Sequence, residues 1–237
     1  MQLIYNQLVG CIITAICSIT FGILLKKPRS KSFTVAITVI VHMVILCAYG
    51  PPLFYILFRG NFIHYDVILG IPLLGFQTGL RIIGTIIIFF GIFFCLISLF
   101  TLAISGKGLP AIILSEKLTA KGIYAFTRNP MSLGFYLALV SFGFLRGSLF
   151  FILWSLIVII PTHICFLKFF EERELESRFG QPYIEYKKRV PFLIPNLRNI
   201  FITEKSSHDK HLHINKPLRG YQLFREEWLL CLHPRQI

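Results

Sequence analysis

The chain has 237 residues, of which 55% are hydrophobic and only 15% charged, with a positive mean hydropathy. That balance excludes an ordinary soluble domain and points to a membrane protein. The formal net charge is +13, but the basic residues collect in the loops and tail between apolar runs. Lipid headgroups and membrane topology explain them, and no nucleic-acid partner is expected.

Leu3 to Leu25 is apolar and just long enough to cross a bilayer. No basic region precedes it and no small-residue cleavage site follows, so a cleavable signal peptide is not expected. The compact basic loop Lys26-Lys27-Pro28-Arg29-Ser30-Lys31 comes next. Phe33 to Phe58 is a second span, which Pro51-Pro52 should kink or end, since each proline lacks an amide donor. Residues 59–78 hold Arg59, His64, Asp66 and several glycines, and read as a loop dipping into the interface. Leu80 to Ile104 is an almost unbroken run of Ile, Phe and Leu. A polar, weakly basic stretch then runs from 105 to 130. Met131 to Leu145 is apolar but short of the ~20 residues of a perpendicular crossing. Arg146-Gly147-Ser148 reads as a tight turn, and Leu149 to Leu167 as the returning arm of a helical hairpin.

The fold class is therefore all-α: a polytopic membrane protein with about five transmembrane helices, the last two a hairpin. The 26–31 loop, the 105–130 loop and everything after Lys168 are basic; the 59–78 loop and the 146–148 turn are much less so. That alternation predicts an outside N-terminus and a cytoplasmic C-terminus. From Lys168 a charged helix is expected to leave the membrane and stop at Gly180. A second helix should follow from Gln181 to Arg189, with Tyr183 and Tyr186 on one face, then the extended Val190-Pro191-Phe192-Leu193-Ile194-Pro195. Residues 1–198 read as a single membrane domain and 199–237 as a polar tail, in which Gly220 to Leu232 has the makings of a membrane-surface segment.

Two clusters carry chemistry. Gly122-Ile123-Tyr124-Ala125-Phe126-Thr127-Arg128-Asn129-Pro130 precedes a helix start, where a guanidinium and a carboxamide suit a carboxylate or an adenine edge; a positive-inside anchor is the plainer explanation. Glu171 and Glu172 follow an apolar run directly, a costly place for adjacent carboxylates. They suit an amine or ribose, or else belong to a solvated helix in which Glu174 and Arg178 are an ordinary pair four residues apart. The Gly106-x-Gly108 pair is a weak signal, since such glycine spacing is common by chance. His163 either lines a pocket or is a hydrogen-bonded interior histidine. His208, His211 and His213 beside Asp209 read as a loose tail run, and no metal site is expected. The six cysteines, Cys11, Cys17, Cys47, Cys95, Cys165 and Cys231, form no Cys-x-x-Cys pair.

Taken together, Gly122-x-Tyr124-x-x-x-Arg128-Asn129-Pro130-Met131-x-Leu133-Gly134 and Glu171-Glu172-x-x-Leu175-x-x-x-Phe179-Gly180-x-x-Tyr183-x-x-Tyr186-x-x-x-Val190-Pro191 resemble the isoprenylcysteine carboxyl methyltransferases and their phospholipid methyltransferase relatives. The resemblance covers 106–195. It implies an integral membrane enzyme that uses S-adenosylmethionine without a Rossmann domain. It also implies a lipid or lipid-modified acceptor, a prenylcysteine-like carboxylate or a phospholipid-like amine. By the same resemblance Gly106, Gly108, Gly122, Tyr124, Arg128, Asn129, Pro130, Gly134, Glu171 and Glu172 form or shape the cofactor site, with Arg173 and Glu172 at the reacting groups. The family usually has tyrosine where this chain has Ser132, and some branches have histidine at Asn129. Membrane reductases that use NADPH share a related C-terminal pattern and stay open as an alternative, as does a non-enzymatic membrane scaffold; oligomeric state is not legible.

Overall fold

The computed structural model describes residues 2–27, 30–72, 77–106, 115 and 117–195. The chain divides into two units, Met1–Pro195 and Asn196–Ile237, and the described residues all belong to the first. Gly108, the tail histidines and the segment from Gly220 lie outside them. The described regular structure is entirely helical.

Among the described residues, four helices are long and apolar enough to cross a membrane: Gln2–Leu24, Ser32–Arg59, Thr78–Gly106 and Leu149–Phe179. The first is α1. The second is built from α2 (Lys31–Val44), a π-helical turn (Ile45–Tyr49) and α3 (Gly50–Arg59). Ser30 starts it by accepting the Phe33 N–H at 3.3 Å. Pro51-Pro52 does not end this helix. The π turn shifts the bonding register, so Gly50 N–H donates to Ile45 O, five residues back. The Ala48 carbonyl, which Pro52 cannot serve with an N–H, lies against Gly10 of α1. A Cβ at Gly10 would stand 2.0 Å from that oxygen.

Residues 59–72 are not the interfacial loop expected from their composition. They contain α4 (Phe62–Ile68), capped by the Asn61 side chain, with Phe62, Tyr65 and Asp66 buried. Asp66 Oδ1 accepts the N–H of Phe150 at 2.6 Å. A charge in the middle of an apparent loop is thus a cap for the first turn of the last long helix.

The third span is α5 (Gln77–Thr101) with a terminal π turn (Leu102–Gly106). Along it packs α6 (Pro130–Arg146), whose 17 residues extend about 26 Å, less than a full hydrocarbon core. Small residues bring the two helices together. A Cβ at Gly134 would lie 2.6 Å from Gly91 O, and Ser141 Oγ donates to Gly84 O at 2.7 Å. Gly147, with φ 66°, turns the chain at the end of α6.

The fourth span continues without a break from α7 (Leu149–Trp154) through α8 (Ile160–Cys165) to α9 (Glu172–Phe179). Two π segments, Ser155–Ile159 and Phe166–Glu171, join them. Pro161 is accommodated as Pro51-Pro52 is, with a π turn just ahead of it: Ile160 N–H donates to Ser155 O. Gly180 (φ 60°) stops the helix, and α10 (Gln181–Arg189) follows, both as the sequence predicts.

Candidate functional site

Three elements converge at the end of the bundle where α9 emerges. The first is the turn Gly122–Ala125 with the residues leading into α6. The second is the π segment Phe166–Glu171 with α9. The third is α10 and the strand-like strap after it. Val190 is extended (φ −108°, ψ 130°), and the strap lies along 127–129. Arg128 N–H donates to Pro191 O at 3.0 Å, Thr127 Oγ1 to Leu193 O at 2.8 Å, and Asn129 Nδ2 to Phe192 O at 2.9 Å. The Asn129 carboxamide therefore has its donor side engaged by backbone, leaving its oxygen.

Arg128 Nη1 lies 2.7 Å from Glu172 Oε1, both side chains only 10% exposed. Lys187 Nζ reaches Glu172 Oε2 at 2.6 Å and Glu176 Oε1 at 2.9 Å. Burial alone would lower the Lys187 pKa, but its bonds to Glu172 and Glu176 hold it above the usual lysine value. The Phe192 ring closes the group, with the Arg128 guanidinium 5.7 Å and Lys168 Nζ 5.0 Å from its centroid. Arg128 Nε is buried and has no hydrogen-bond partner among the described residues.

Behind this network is a cavity of about 590 Å³. Its polar end is formed by Tyr124, Arg128, Asn129, Glu171, Glu174, Arg178, Tyr183 and Tyr186; its inner end by His42, Tyr49, Phe135, His163 and Phe166. The two adjacent glutamates part company here, since successive residues of a helix point about 100° apart. Glu171 lines the cavity, while Glu172 is held by Arg128 and Lys187. Glu171 makes no hydrogen bond or ion pair among the described residues, whereas the neighbouring Glu174 is paired with Arg178 at 2.5 Å. Burial, reinforced by Glu171, pushes the Tyr124 hydroxyl well above its usual pKa. Burial raises Tyr183 too, together with Glu172 and Glu171, and raises Tyr186 together with Tyr124. All three phenols stay protonated. Tyr186 donates to Tyr124 O at 2.7 Å, tying α10 to the Gly122 turn.

Of the residues singled out by sequence, Tyr124, Arg128, Asn129, Pro130 and Glu171 share this cavity wall. Ser132 is on it as well. Gly106 supports the wall from behind: a Cβ there would meet Thr119 Oγ1 at 2.7 Å. Gly134 lies in the α5–α6 crossing. Gly122 borders a separate apolar groove of about 480 Å³ along α5, with Phe93, Phe100 and Lys121; Leu96 lines both spaces. Arg173 is turned away from the cavity, its side chain 42% exposed and 3.3 Å from Glu176. His42, Tyr49 and Lys187 belong to the site but carry no signal of it in the sequence. Two are single residues in an apolar run and the third is part of a basic one.

Residues 80–182 match the model of the phospholipid methyltransferase family. A stretch of 76 residues is 37% identical to methanethiol S-methyltransferase 2 of Bradyrhizobium diazoefficiens, covering 32% of this chain and 27% of that relative's length. No solved structure matches. The matched segment takes in most of α5, α6 and the helix bearing Glu171 and Glu172, and it is over this part that the chain is similar to the phospholipid methyltransferase family.

Proposed function

We propose that the protein is a membrane methyltransferase that takes its methyl group from S-adenosylmethionine. The observation that carries this reading is the polar end of the cavity. An unpaired carboxylate, Glu171, and a buried guanidinium with a free Nε, Arg128, face one enclosed space. A carboxylate without a partner beside a guanidinium that still has an N–H to offer suits a zwitterion. S-adenosylmethionine has such an end, and supplies an electrophilic methyl group on a sulfonium.

Glu171 would hold the ammonium group or the ribose hydroxyls, and Arg128 the carboxylate. Asn129 offers its oxygen to an adenine edge. Tyr124, Tyr183 and Tyr186 enclose the donor, while Gly106, Gly122, Pro130 and Gly134 shape the backbone around it. Glu172 keeps Arg128 in place. Methyl transfer is an in-line displacement, so alignment and exclusion of water supply most of the acceleration. The acceptor would be lipid-soluble and arrive from the bilayer by way of the α5 groove, which shares Leu96 with the cavity lining. We further infer five crossings, α6 and the last long helix forming a hairpin, with residues 1–198 as one domain and the site at the cytoplasmic face. The test is a thermal-shift titration of detergent-purified protein with S-adenosylhomocysteine and, separately, NADPH. Stabilisation by the first alone is expected; stabilisation by NADPH alone would replace this reading with a reductase.

A further inference from the structure

The inner end of the cavity holds chemistry that donor binding does not use. His42 and His163, from different spans, stand on either side of Phe166, with ring centroids 5.9 and 5.8 Å from it. Both line the cavity. Their tautomers are constrained differently. His42 Nδ1 is 2.8 Å from the carbonyl oxygen of Thr38. A carbonyl only accepts, so Nδ1 carries the proton, and the neutral ring keeps its lone pair on Nε2. That nitrogen has no hydrogen-bond partner among the described residues. His163 Nδ1 is 2.9 Å from the hydroxyl of Tyr136, a partner that can donate or accept, and so fixes nothing about its Nε2.

We propose that His42 is the general base for the acceptor and that the acceptor is an apolar thiol; this rests on the methyl-transfer reading above. A carboxylate has already lost its proton at neutral pH and gains nothing from a base. An alkylammonium, with a pKa near 10, holds its proton too firmly for an imidazole. A thiol is uncharged at neutral pH and keeps its lone pair, so it can begin the attack with its proton in place and hand that proton, made acidic as the S–C bond forms, to an imidazole. The walls suit it, since Cys95, Met131, Phe135 and Phe166 offer a soft, aromatic surface. In the step, His42 Nε2 takes the S–H proton as the sulfur lone pair attacks the methyl carbon. The new S–CH₃ bond forms while the donor's C–S bond breaks, and its electron pair returns to the sulfonium sulfur. A methyl thioether and S-adenosylhomocysteine leave, and His42 passes its proton to water.

The experiment uses the full chain in nanodiscs with octanethiol, octylamine and octanoate as acceptors. Octanethiol is the expected substrate. His42→Ala should lower its turnover by about 10²-fold while S-adenosylhomocysteine binds as to the wild type, and added imidazole should restore part of the rate. Thiophenol, ionised without help, should lose far less in the variant. Without any donor, the variant should bind octanethiol several-fold more weakly and methyl octyl sulfide, which has no S–H, equally well. His42→Asn, which can still donate to Thr38 O, guards against a simple folding defect and should behave as His42→Ala does. Equal losses for octanethiol and thiophenol, retained turnover in both variants, or a preference for octanoate or octylamine would overturn the assignment. If S-adenosylhomocysteine fails to bind the wild type, the donor reading falls and this proposal with it.

Discussion

Glu171 faces an enclosed space with no partner of its own, while Glu172, one position on, joins Arg128 to Lys187. The two carboxylates should therefore fail in different ways. Glu171→Gln removes a carboxylate that has no hydrogen-bond or ion-pair partner among the described residues. It should weaken S-adenosylhomocysteine binding by about tenfold or more, as expected when a charge-assisted bond is lost, and leave the melting temperature nearly unchanged. Glu172→Gln leaves a guanidinium and an ammonium beside each other where Arg128 is largely buried. Breaking such a pair costs about 3–5 kcal/mol, so the melting temperature should fall clearly. Parallel thermal melts and ligand titrations of the two variants separate the roles; equal effects would mean that the pair acts as one unit. At this scale the sequence makes the cluster legible but not its division of labour. The adjacent acids announce something expensive near a membrane. Which one points inward depends on the rotation of a helix, and no property of the two residues themselves reveals that. His42 is harder still to see: a lone histidine in an apolar run looks the same whether its free nitrogen meets a cavity or lipid.

The helices are read more easily than the way they join. Apolar length alone predicts the four long spans to within a residue or two at most ends. It does not predict that prolines would leave two of them intact. The missing N–H groups at Pro51-Pro52 and Pro161 are handled by π turns, and a proline-based rule for helix ends has no term for that. The π turn before Glu172 is tied to α1 as well. A Cβ at Gly22 would stand 1.8 Å from Phe169 O, inside the segment Phe166–Glu171. Gly22→Ala must push α1 and this segment apart. We expect a loss of about 1–3 kcal/mol, the range for overpacking, together with weaker S-adenosylhomocysteine binding, because Glu171 rides on the displaced turn. Gly147→Ala is the control. Nothing lies within 4 Å of its Cβ, and only its φ of 66° resists the change, at about 1–2 kcal/mol. Its melting temperature should drop while binding is kept. Binding lost equally in both variants would show that general stability, not the position of the π turn, governs the site.

Across the whole of the first unit, the contacts sort the residues by end. Thr34 meets Ser177, Gly22 meets Phe169 and Arg128 meets Glu172, so the 26–31 loop, the start of α6 and the end of the last span share one end. Arg146 donates to Leu57 O and Asp66 caps the last span at Phe150, which places 57–66 and 146–150 at the other. The first end gathers Lys26, Lys27, Lys121, Lys168, Arg173, Lys187, Lys188 and Arg189; the second has Arg59, Arg81 and Arg146 with Asp66. A bilayer with its anionic, cytoplasmic leaflet at the basic end satisfies this asymmetry, and the opposite orientation would oppose it. In that orientation the proposed donor would reach the cavity from the cytoplasm and the proposed apolar acceptor from the bilayer. Single cysteines in a background with the native ones replaced by Ser or Ala test the arrangement. In intact cells a membrane-impermeant maleimide should label Gly147→Cys and spare Lys27→Cys, with both labelled once the membrane is opened. Labelling of Lys27→Cys alone in intact cells would put the Arg128–Glu172 network on the outer side. A donor made and kept inside the cell could not then reach it, and methyl transfer from S-adenosylmethionine would have to be abandoned with the topology.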